Sequence, residues 1–437
     1  MLGSESKEQY LAAFKQMSAG ACGPSWLREL RQAGIASFAA LGFPTVKNEE
    51  WKYTNLEPIA AQAFARANGE AKPLDGGEIF SRSMIETSAP RLVFVNGVYT
   101  AELSQATGLP QGLGLHRLAD FIRSDENAIA SQLGHHASTE RQPFVALNTA
   151  FFQDGAVVSV APGCRLNQPI YLVFVSTSPS QPVISHPRIL IVLGAGSEAK
   201  IVESYLGVDG NAYFCNAVTE LLSAQDAIVE HYRLQQESDR GYHVGTLEVT
   251  LERGCRFAAH ALTLSGLLVR NNVRVVLNGE DSQCILNGLY LGDGKQHIDN
   301  FTEIEHVKPR ATSLELYKGV LSGSSHGVFN GKIVVHKDAQ KSDARQTNKN
   351  LLLSPNAVVN TKPQLEICAD DVKCSHGSTI GQLDADAIFY LRSRGLDVAE
   401  ARSLLSFAFA SDVVGRITIE SLRRRLDEYL VARFGRR

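Results

Sequence analysis

The feature that most limits the fold is a long central stretch of β-strand character, from about Pro143 to about Ile367. It contains short runs rich in Val, Ile, Leu and Thr, such as PIYLVFV, RILIVLG and KIVVHK, separated by Gly, Asn, Asp and Pro. No amphipathic helix separates these runs, which argues against a fold that alternates strands with helices. A sandwich, a barrel or a β-solenoid could each result.

Two local details favour the solenoid. The runs are short, with corners at single Gly or Asn residues. The stretch QTNKNLLLS alternates Gln346, Asn348 and Asn350, which are residue types that can stack as side-chain ladders between successive coils. The sequence shows no fixed period of the kind that marks regular repeats. We therefore expect a mainly β fold with a solenoid core of unassigned repeat length.

The residues before this stretch are mixed in character. Apolar residues recur at helical spacing over residues 10–17 and 26–38, until Pro44 stops the pattern. Further on, RLVFVNGVYT places Asn96-Gly97 between two apolar runs, and this dipeptide readily takes the positive φ angles of a type I′ turn. These patterns predict amphipathic helices followed by a β-hairpin near 91–100.

The residues after the central stretch return to helical patterning. Asp384 is placed to cap a helix that ends at Gly395, a favourable residue just beyond a helix end. Asp397 and Glu400 then form a D-x-x-E variant of the capping box at the start of a second helix. A third helix is expected from about Thr418, which completes a small helical domain.

Composition limits the compartment and the partners. The 43 basic and 46 acidic side chains nearly cancel, so no long-range field would hold the protein on nucleic acid or an anionic membrane. No run approaches the ~20 apolar residues that span a bilayer, and the N-terminus lacks the apolar stretch of a secretory signal. The seven cysteines are scattered and never form a C-x-x-C pair. We expect a cytoplasmic protein without a disulfide framework or zinc ribbon.

Two glycine-rich motifs are better explained as corners than as functional sites. RILIVLGAGSEA resembles a dinucleotide fingerprint around Gly194 and Gly196, but the β-like KIVESYLG follows where a helix is required. GSSHG matches the nucleophile pattern around Ser325, but VFNGKIVVH continues as strand, whereas the motif needs a turn into a helix.

The segment LEICADDVKCSHGSTIG is chemically denser. Cys374 and His376 form a Cys-x-His pair whose side chains would project to one face of a strand. A thiolate and an imidazole suit zinc, copper or an iron–sulfur centre. Two ligands are too few to close a stable site, so a site completed by a second chain remains open. The alternative is a solvated turn around Asp370 and Asp371.

Four blocks of the sequence resemble one known family. They are LGFPTVKNEEWKYTNL, the FVNG hairpin, QTNKNLLLSPNAVVNTKPQLEI and DDVKCSHGSTIGQLDADAIFYLRSRG. In this order, and over nearly the full chain, they resemble the SufB/SufD family of iron–sulfur cluster assembly proteins. The forms CSHGSTIGQLD and WKYTNL are similar to those of its SufD branch.

The resemblance implies a fold and a function. It implies a right-handed parallel β-helix core at 143–382, an N-terminal helical region at 1–142 and a C-terminal helical domain at 383–437. It also implies a non-enzymatic scaffold with no tightly bound cofactor, whose core pairs with a SufB-like paralogue and whose C-terminal domain holds a SufC-like ATPase. In the family, ATP-driven dimerisation of SufC rearranges the interface where a nascent cluster forms. A homodimer of the isolated chain is a further expectation.

The resemblance also implies site residues. His376 matches the histidine that the family places at the SufB–SufD interface, as a candidate ligand of a transient iron–sulfur cluster shared with SufB. Cys374 is the second candidate, and a simple hydrogen bond from His376 across the contact is the alternative role. The first two C-terminal helices are expected to contact SufC, unless their apolar residues pack only within the domain. The expected contact residues are Tyr390, Leu391, Arg394, Leu396 and Leu404.

A second function class stays open, because β-solenoids also host carbohydrate-active enzymes. Such an enzyme would need carboxylates paired on one face, and it would usually be secreted. The sequence shows neither a compelling carboxylate set nor a secretion signal, which disfavours this alternative.

Overall fold

The computed structural model describes residues 2–19, 23–67, 74–124, 129–178, 181–208 and 212–435. Most strands are parallel and belong to two large sheets that together form a solenoid. This confirms the expected mainly β fold, with a parallel β-helix core and helices towards both ends of the chain.

The helices are α1 (Leu2–Ala19), α2 (Ser25–Leu41), α3 (Glu57–Ala60), α4 (Gly76–Arg82), α5 (Leu118–Ser124), α6 (Pro143–Phe151), α7 (Ala385–Ser393), α8 (Val398–Val414) and α9 (Glu420–Phe434). The strands are β1 (Ala65–Arg66), β2 (Arg91–Val95), β3 (Val98–Tyr99), β4 (Leu113–Arg117), β5 (Gly155–Val160), β6 (Ile170–Ser176), β7 (Val183–Ser185), β8 (Arg188–Leu193), β9 (Glu198–Gly207), β10 (Tyr213–Ser223), β11 (Ile228–Gln236), β12 (Gly241–Leu251), β13 (Arg256–Ser265), β14 (Leu268–Leu277), β15 (Gln283–Gly292), β16 (His297–His306), β17 (Thr312–Leu321), β18 (His326–Val335), β19 (Asp343–Leu352), β20 (Val358–Ile367) and β21 (Lys373–Gly381).

From β8 onwards, successive strands alternate between the two sheets. Sheet A runs in the order β4-β5-β8-β10-β12-β14-β16-β18-β20, and sheet B in the order β3-β2-β6-β9-β11-β13-β15-β17-β19-β21. Each coil therefore adds one strand to each sheet. The register joins Leu268 to His297 and His297 to His326, so one coil takes about 30 residues, within the range of solenoid repeats.

The main core fills the lumen between the sheets. Inward side chains of both sheets form one buried cluster that extends from Leu92 to Ala369 along the chain. The residue type at equivalent positions changes from coil to coil. This explains why the repeat leaves no fixed period in the sequence.

The predicted amide ladder is wrong. Gln346, Asn348 and Asn350 are buried in the lumen, but the register places unlike residues beside them. Their neighbours on β17 are Glu315, Tyr317 and Gly319. Because the neighbours are not amides, Gln346 and Asn348 donate to Glu315 Oε2 (2.6 Å) and to the Tyr317 carbonyl (3.2 Å).

The first end of the β-helix is closed by antiparallel strands. β3 pairs antiparallel with β2, and β4 pairs antiparallel with β5. The β2–β3 turn holds Asn96 at φ 49° and Gly97 at φ 76°, as a type I′ turn requires. Phe94 and Leu115 bury their side chains in the lumen core, so this end is covered by the chain itself.

The N-terminal helices pack on the outer face of sheet A. Aromatic residues of α1, α2 and α6 form one buried cluster with Phe214 and Leu268 of the sheet. Trp51 is buried here, with the Arg270 guanidinium 4.2 Å from its ring centroid. The Thr54 hydroxyl lies 2.9 Å from His297 Nε2. The WKYT block therefore fastens the N-terminal region to the β-helix.

The C-terminal helices α8 and α9 pack on the outer face of sheet B. Leu422, Leu426 and Leu430 of α9 share a buried cluster with Leu262 and Leu289 of the sheet. Polar contacts add to this packing. Lys318 Nζ lies 2.7 Å from Asp412 Oδ2 and donates to the Phe409 carbonyl at 3.1 Å, which ties α8 to β17.

Local capping explains where these helices begin and end. The Asp384 side chain accepts hydrogen bonds from the first turn of α7, and Gly395 lies just past its end at φ 97°. The capping box of Asp397 and Glu400 is present at the start of α8. α9 begins at Glu420, slightly later than predicted. None of the described helices is both long and apolar enough to cross a membrane.

The two glycine-rich motifs are corners, as predicted. Gly194 and Gly196 lie in the turn between β8 and β9, with Gly196 at φ 65°. Ser325 lies in the turn between β17 and β18, and no helix follows either turn.

Candidate functional site

The second end of the β-helix is not covered in the same way. β20 ends sheet A and β21 ends sheet B, and no other strand of the described residues pairs with their outer edges. Apolar side chains remain accessible here, with Val358 50% and Ile380 47% exposed. We call this surface, formed by β20 and β21, the open end.

Half of the backbone groups of β21 point away from the protein. The Lys373 N–H donates to the Ser342 carbonyl at 2.9 Å. In a parallel ladder, alternate residues bond to alternate sides of the strand. The N–H and C=O groups of Cys374, His376, Ser378 and Ile380 therefore face outward, available to another strand.

The outer edge of β20 is interrupted. The Val358 N–H donates to the Ser325 carbonyl at 3.0 Å, so the residues at odd positions of β20 face outward. Pro363 occupies one of these outward positions, where its missing N–H costs no bond within the sheet. Because a proline blocks pairing at that point, β21 provides the longer continuous edge.

The structure brings both predicted ligand residues to the open end. Cys374 is in register with Ala344, and His376 with Gln346, and both partners are buried in the lumen. Cys374 and His376 therefore lie on the same, inward-facing side of β21. The Cys374 side chain is half-buried and that of His376 is exposed.

The local environment favours the protonated thiol of Cys374. Burial, together with the negative charge of Asp343, raises the pKa of Cys374. A metal would have to displace this proton, since the thiolate is the ligand form. Within the described ranges, no three His, Cys, Asp or Glu side chains are placed to hold a metal ion. The two residues can thus supply only part of a coordination shell.

The remaining described cysteines differ in burial, and Cys164, in the turn between β5 and β6, is half-buried. Cys215, Cys255 and Cys284 are buried, and burial raises the pKa of each thiol. Such thiols pack as small apolar groups and are poorly reactive. Cys368 is exposed in the turn between β20 and β21. The accessible thiols at the open end are therefore those of Cys368 and Cys374. The sequence did not reveal which cysteines are buried and which are accessible.

A polar pair lies directly behind His376. Gln346 is the in-register neighbour of His376, and its Nε2 donates to Glu315 Oε2 at 2.6 Å. Burial raises the pKa of Glu315 to about 7. This position of Gln346 could not be predicted from the sequence, because only the register shows that Gln346 lies between a carboxyl group and a candidate ligand.

A second accessible surface lies on α7 and the start of α8. Phe389 is 73% and Tyr390 56% exposed, and Leu404 is 46% exposed. The Arg394 guanidinium lies 5.2 Å from the Tyr390 ring centroid. Large apolar side chains of this kind are usually buried or bound by a partner. We call this surface the α7–α8 face.

The residues predicted for the ATPase contact lie on or beside this face. Tyr390, Arg394 and Leu404 are exposed, whereas Leu391 and Leu396 are half-buried. Phe389, the most exposed large apolar residue of α7, was missed. The sequence shows Phe389 within IFYLRSR. It does not show which side of the helix lacks a neighbouring element.

Three carboxylates lie close together on the outer face of sheet A. Glu248, Glu303 and Glu305 converge on the Arg274 guanidinium at 3.5, 3.0 and 2.9 Å. Burial raises the pKa of Glu303, whereas Arg274 outweighs burial and lowers the pKa of Glu305. Because one guanidinium occupies the space between the carboxylates, the cluster is better explained as an ion-pair network than as a glycosidase site.

Comparisons with known proteins agree with the fold. A family model described as the SufBD core domain of SUF-system FeS cluster assembly matches residues 174–409, and a SufBD N-terminal region model matches residues 4–172. An iron–sulfur cluster assembly SufBD family protein of Synechocystis is 33% identical over 411 residues, covering 92% of this chain and 90% of that protein.

Two further relatives carry the name SufD. The iron–sulfur cluster assembly protein SufD of Escherichia coli is 32% identical over 408 residues, covering 93% of this chain and 92% of that protein. The protein of that name in Bacillus subtilis is 24% identical over 436 residues, covering 96% of each. These matches also disfavour the carbohydrate-active alternative. Since family models and relatives span most of the sequence, the chain belongs to the SufB/SufD family of iron–sulfur cluster assembly proteins.

Proposed function

We propose that the chain is a non-catalytic scaffold subunit for iron–sulfur cluster assembly in the cytoplasm. It binds a SufB-like paralogue through the open end and a SufC-like ATPase through the α7–α8 face. The observation that carries this proposal is the uncovered edge of β21, which bears His376 and Cys374. Solenoids require capping at both ends, and uncovered strand edges attract other strands.

The open end suits pairing with another β-helix. Main-chain hydrogen bonds to the outward groups of β21 would provide affinity, and the exposed side chains of the last coil would provide specificity. A paralogue with the same fold would offer an equivalent edge. In the absence of that paralogue, two copies of the chain would pair through the same edges about a two-fold axis, which gives a homodimer.

The cluster ligands would be shared between the two chains. His376 supplies an imidazole nitrogen and Cys374 a thiolate, and the paralogue supplies the remaining ligands. Iron–sulfur clusters usually take four protein ligands, and histidine can replace cysteine among them. Because the site exists only while the two edges meet, the cluster is transient and neither chain holds it tightly alone.

The α7–α8 face provides the arrangement expected for the ATPase contact. It places exposed aromatic residues and Arg394 together, and these residue types dominate binding energy at interfaces. Only Gln382, Leu383 and Asp384 lie between β21 and α7. A movement of the bound ATPase would therefore act directly on the strand that carries His376, so the two partner surfaces are mechanically linked.

The test is His376→Ala in the complex purified with both partners. We expect both partners to be retained, because the imidazole forms no part of the main-chain pairing or of the α7–α8 face. Iron and sulfide per complex should fall, because the shared site loses one ligand. Ser378→Ala, on the same side of the same strand, is the matched control.

Two results would count against the proposal in different ways. Unchanged iron and sulfide in the His376→Ala complex would remove His376 from the ligand set. Failure of the tagged wild-type chain to recover either a SufB-like protein or a SufC-like ATPase would overturn the scaffold function itself.

A further inference from the structure

One inward-facing column of sheet B ends in three polar residues at the open end. In register, its last five positions are Ala259, Leu286, Glu315, Gln346 and His376, and the next position inward is the buried His231, which is bonded to Glu203. Ala259 and Leu286 are apolar lumen residues, as expected for a core. Glu315 and Gln346 are also buried, with 0% and 1% exposure. Burying polar groups in place of apolar ones costs stability, so their presence in this column requires an explanation.

The Gln346 carboxamide is held in place but is not fully bonded. Its Nε2 donates to Glu315, and its side chain fills space beside Gly331, where any Cβ would clash with it. The Oε1 atom is buried and has no hydrogen-bond partner among the described residues. Buried acceptors of this kind are uncommon in folded proteins. A buried, unbonded oxygen therefore belongs to the residue that is paired in register with His376.

We propose that Gln346 is the positioning residue for His376: its Oε1 accepts a hydrogen bond from one ring N–H and leaves the other ring nitrogen free to bind iron. This inference rests on the proposed function. The two residues are directly paired on β19 and β21 and lie on the same side of sheet B. Neighbouring strands are about 4.8 Å apart, within reach of a carboxamide and an imidazole.

The hydrogen bond has a chemical consequence. Histidine ligands commonly donate their second ring N–H to a carbonyl or carboxylate oxygen, which fixes the tautomer and the ring orientation. His376 lies on an edge strand and its side chain is exposed. With Gln346 as acceptor, the imidazole is oriented before the cluster arrives.

The first test measures the tautomer of His376 in the full chain without any cluster. Imidazoles are labelled with ¹³C and ¹⁵N, and the His376 signal is assigned by its loss in His376→Ala. We expect one dominant neutral tautomer in the wild type and a mixture in Gln346→Met, which lacks the acceptor. Gln346→Glu keeps an oxygen acceptor and should retain the single tautomer.

Matched variants separate this role from general damage to the lumen. Asn348→Leu removes a buried amide from the same strand, one inward position further along, and should leave the His376 tautomer unchanged. Gln346→Asn keeps a polar amide but shortens its reach, so it tests the same hydrogen bond if Gln346→Met does not fold. An identical tautomer ratio in the wild type and in whichever of these two Gln346 variants folds would overturn the inference.

The second test uses the complex with both partners. Gln346→Met should weaken iron retention by about 10- to 100-fold, the usual cost of losing such a supporting contact, while Gln346→Glu stays close to the wild type. If His376→Ala lowers iron but Gln346→Met does not, this inference alone fails. If His376→Ala has no effect on iron, the ligand assignment of the proposed function fails and this inference fails with it.

Discussion

The two ends of the β-helix are finished differently. At the first end, β3 and β4 run antiparallel to their neighbours, and Phe94 and Leu115 are buried in the lumen. At the second end, β20 and β21 keep the parallel geometry of the inner coils, and Ile380 is 47% exposed. An antiparallel strand ends coil-by-coil addition, whereas a parallel edge can be extended. The chain thus covers one end by itself, whereas at the other end no described strand pairs with the outer edges of β20 and β21.

The largest expected contrast is in stability between inner and outer coils. Leu286→Ala removes a fully buried lumen side chain and should lower the free energy of unfolding by about 2–5 kcal/mol. Ile380→Ala at the open end should cost less than about 1 kcal/mol in the isolated chain, since much of that side chain is already in water. Urea unfolding of the two variants measures the difference, and equal losses would contradict a lumen that is open at this end.

Blocking the edge of β21 tests the comparison through binding. Ser378→Pro removes an outward-facing N–H without removing a bond to β19, so the chain should remain folded. Affinity for the SufB-like paralogue should fall at least ~100-fold, or about 2.7 kcal/mol. Ser378→Ala keeps the N–H and serves as the control. Tight binding by a folded proline variant would show that the edge is not the contact.

A substitution on the α7–α8 face should weaken only the ATPase contact when each partner is titrated alone, because the linkage between the two surfaces acts only when both partners are bound. Phe389→Asp replaces the most exposed aromatic residue of α7 by a charge and should weaken ATPase binding by about 2 kcal/mol, or ~30-fold. Binding of the paralogue should not change. Arg424→Ala, at an exposed position of α9, is the control. Calorimetric titration of each partner checks both statements, and a loss of both partners from Phe389→Asp would indicate damage to the fold instead.

A pH-dependent effect is expected from the polar column behind His376. Burial raises the pKa of Glu315 from 4.5 to about 7, so the folded state keeps a proton that the unfolded state loses near pH 4.5. The contribution of Glu315 to the free energy of unfolding therefore falls as pH rises from about 4.5 to about 7. Above about pH 7 this contribution no longer changes. Glu315→Gln should remove this loss, on the order of 1–3 kcal/mol at pH 7.5.

The measurement for Glu315 is urea unfolding of the wild type and Glu315→Gln at several pH values. The stability gap in favour of the glutamine variant should widen across that pH range. A gap that stays constant between pH 4.5 and 7.5 would mean that the Glu315 carboxyl titrates alike in the folded and unfolded chain.

The sequence predicted the elements that depend on local chemistry. Asp384, Asp397 and Glu400 cap their helices because capping involves residues only a few positions apart, and Asn96-Gly97 forms its turn for the same reason. The strand character of the core was also visible, since runs of β-branched residues lack helical periodicity. These features can be predicted without knowing which coils are neighbours in the solenoid.

The features that depend on register could not be predicted. Gln346 was expected to stack on like residues, but its neighbours are Glu315 and His376, because residue types change between coils. The sequence shows that Cys374 and His376 are residue types that can bind a metal. It does not show that β21 is the last strand of its sheet. Phe389 was missed because helical spacing does not show which side of α7 lacks a neighbour.

Hydrogen exchange of the β21 amides tests the central claim most directly. In the isolated chain under monomeric conditions, the amides of Ser375, Gly377 and Thr379 should be protected by β19, while those at positions 374, 376, 378 and 380 exchange freely. Binding of the SufB-like paralogue should slow the second set by at least ~10-fold, as expected for new main-chain bonds. Unchanged exchange of that set within an intact complex would show that the open end is not where the two chains meet.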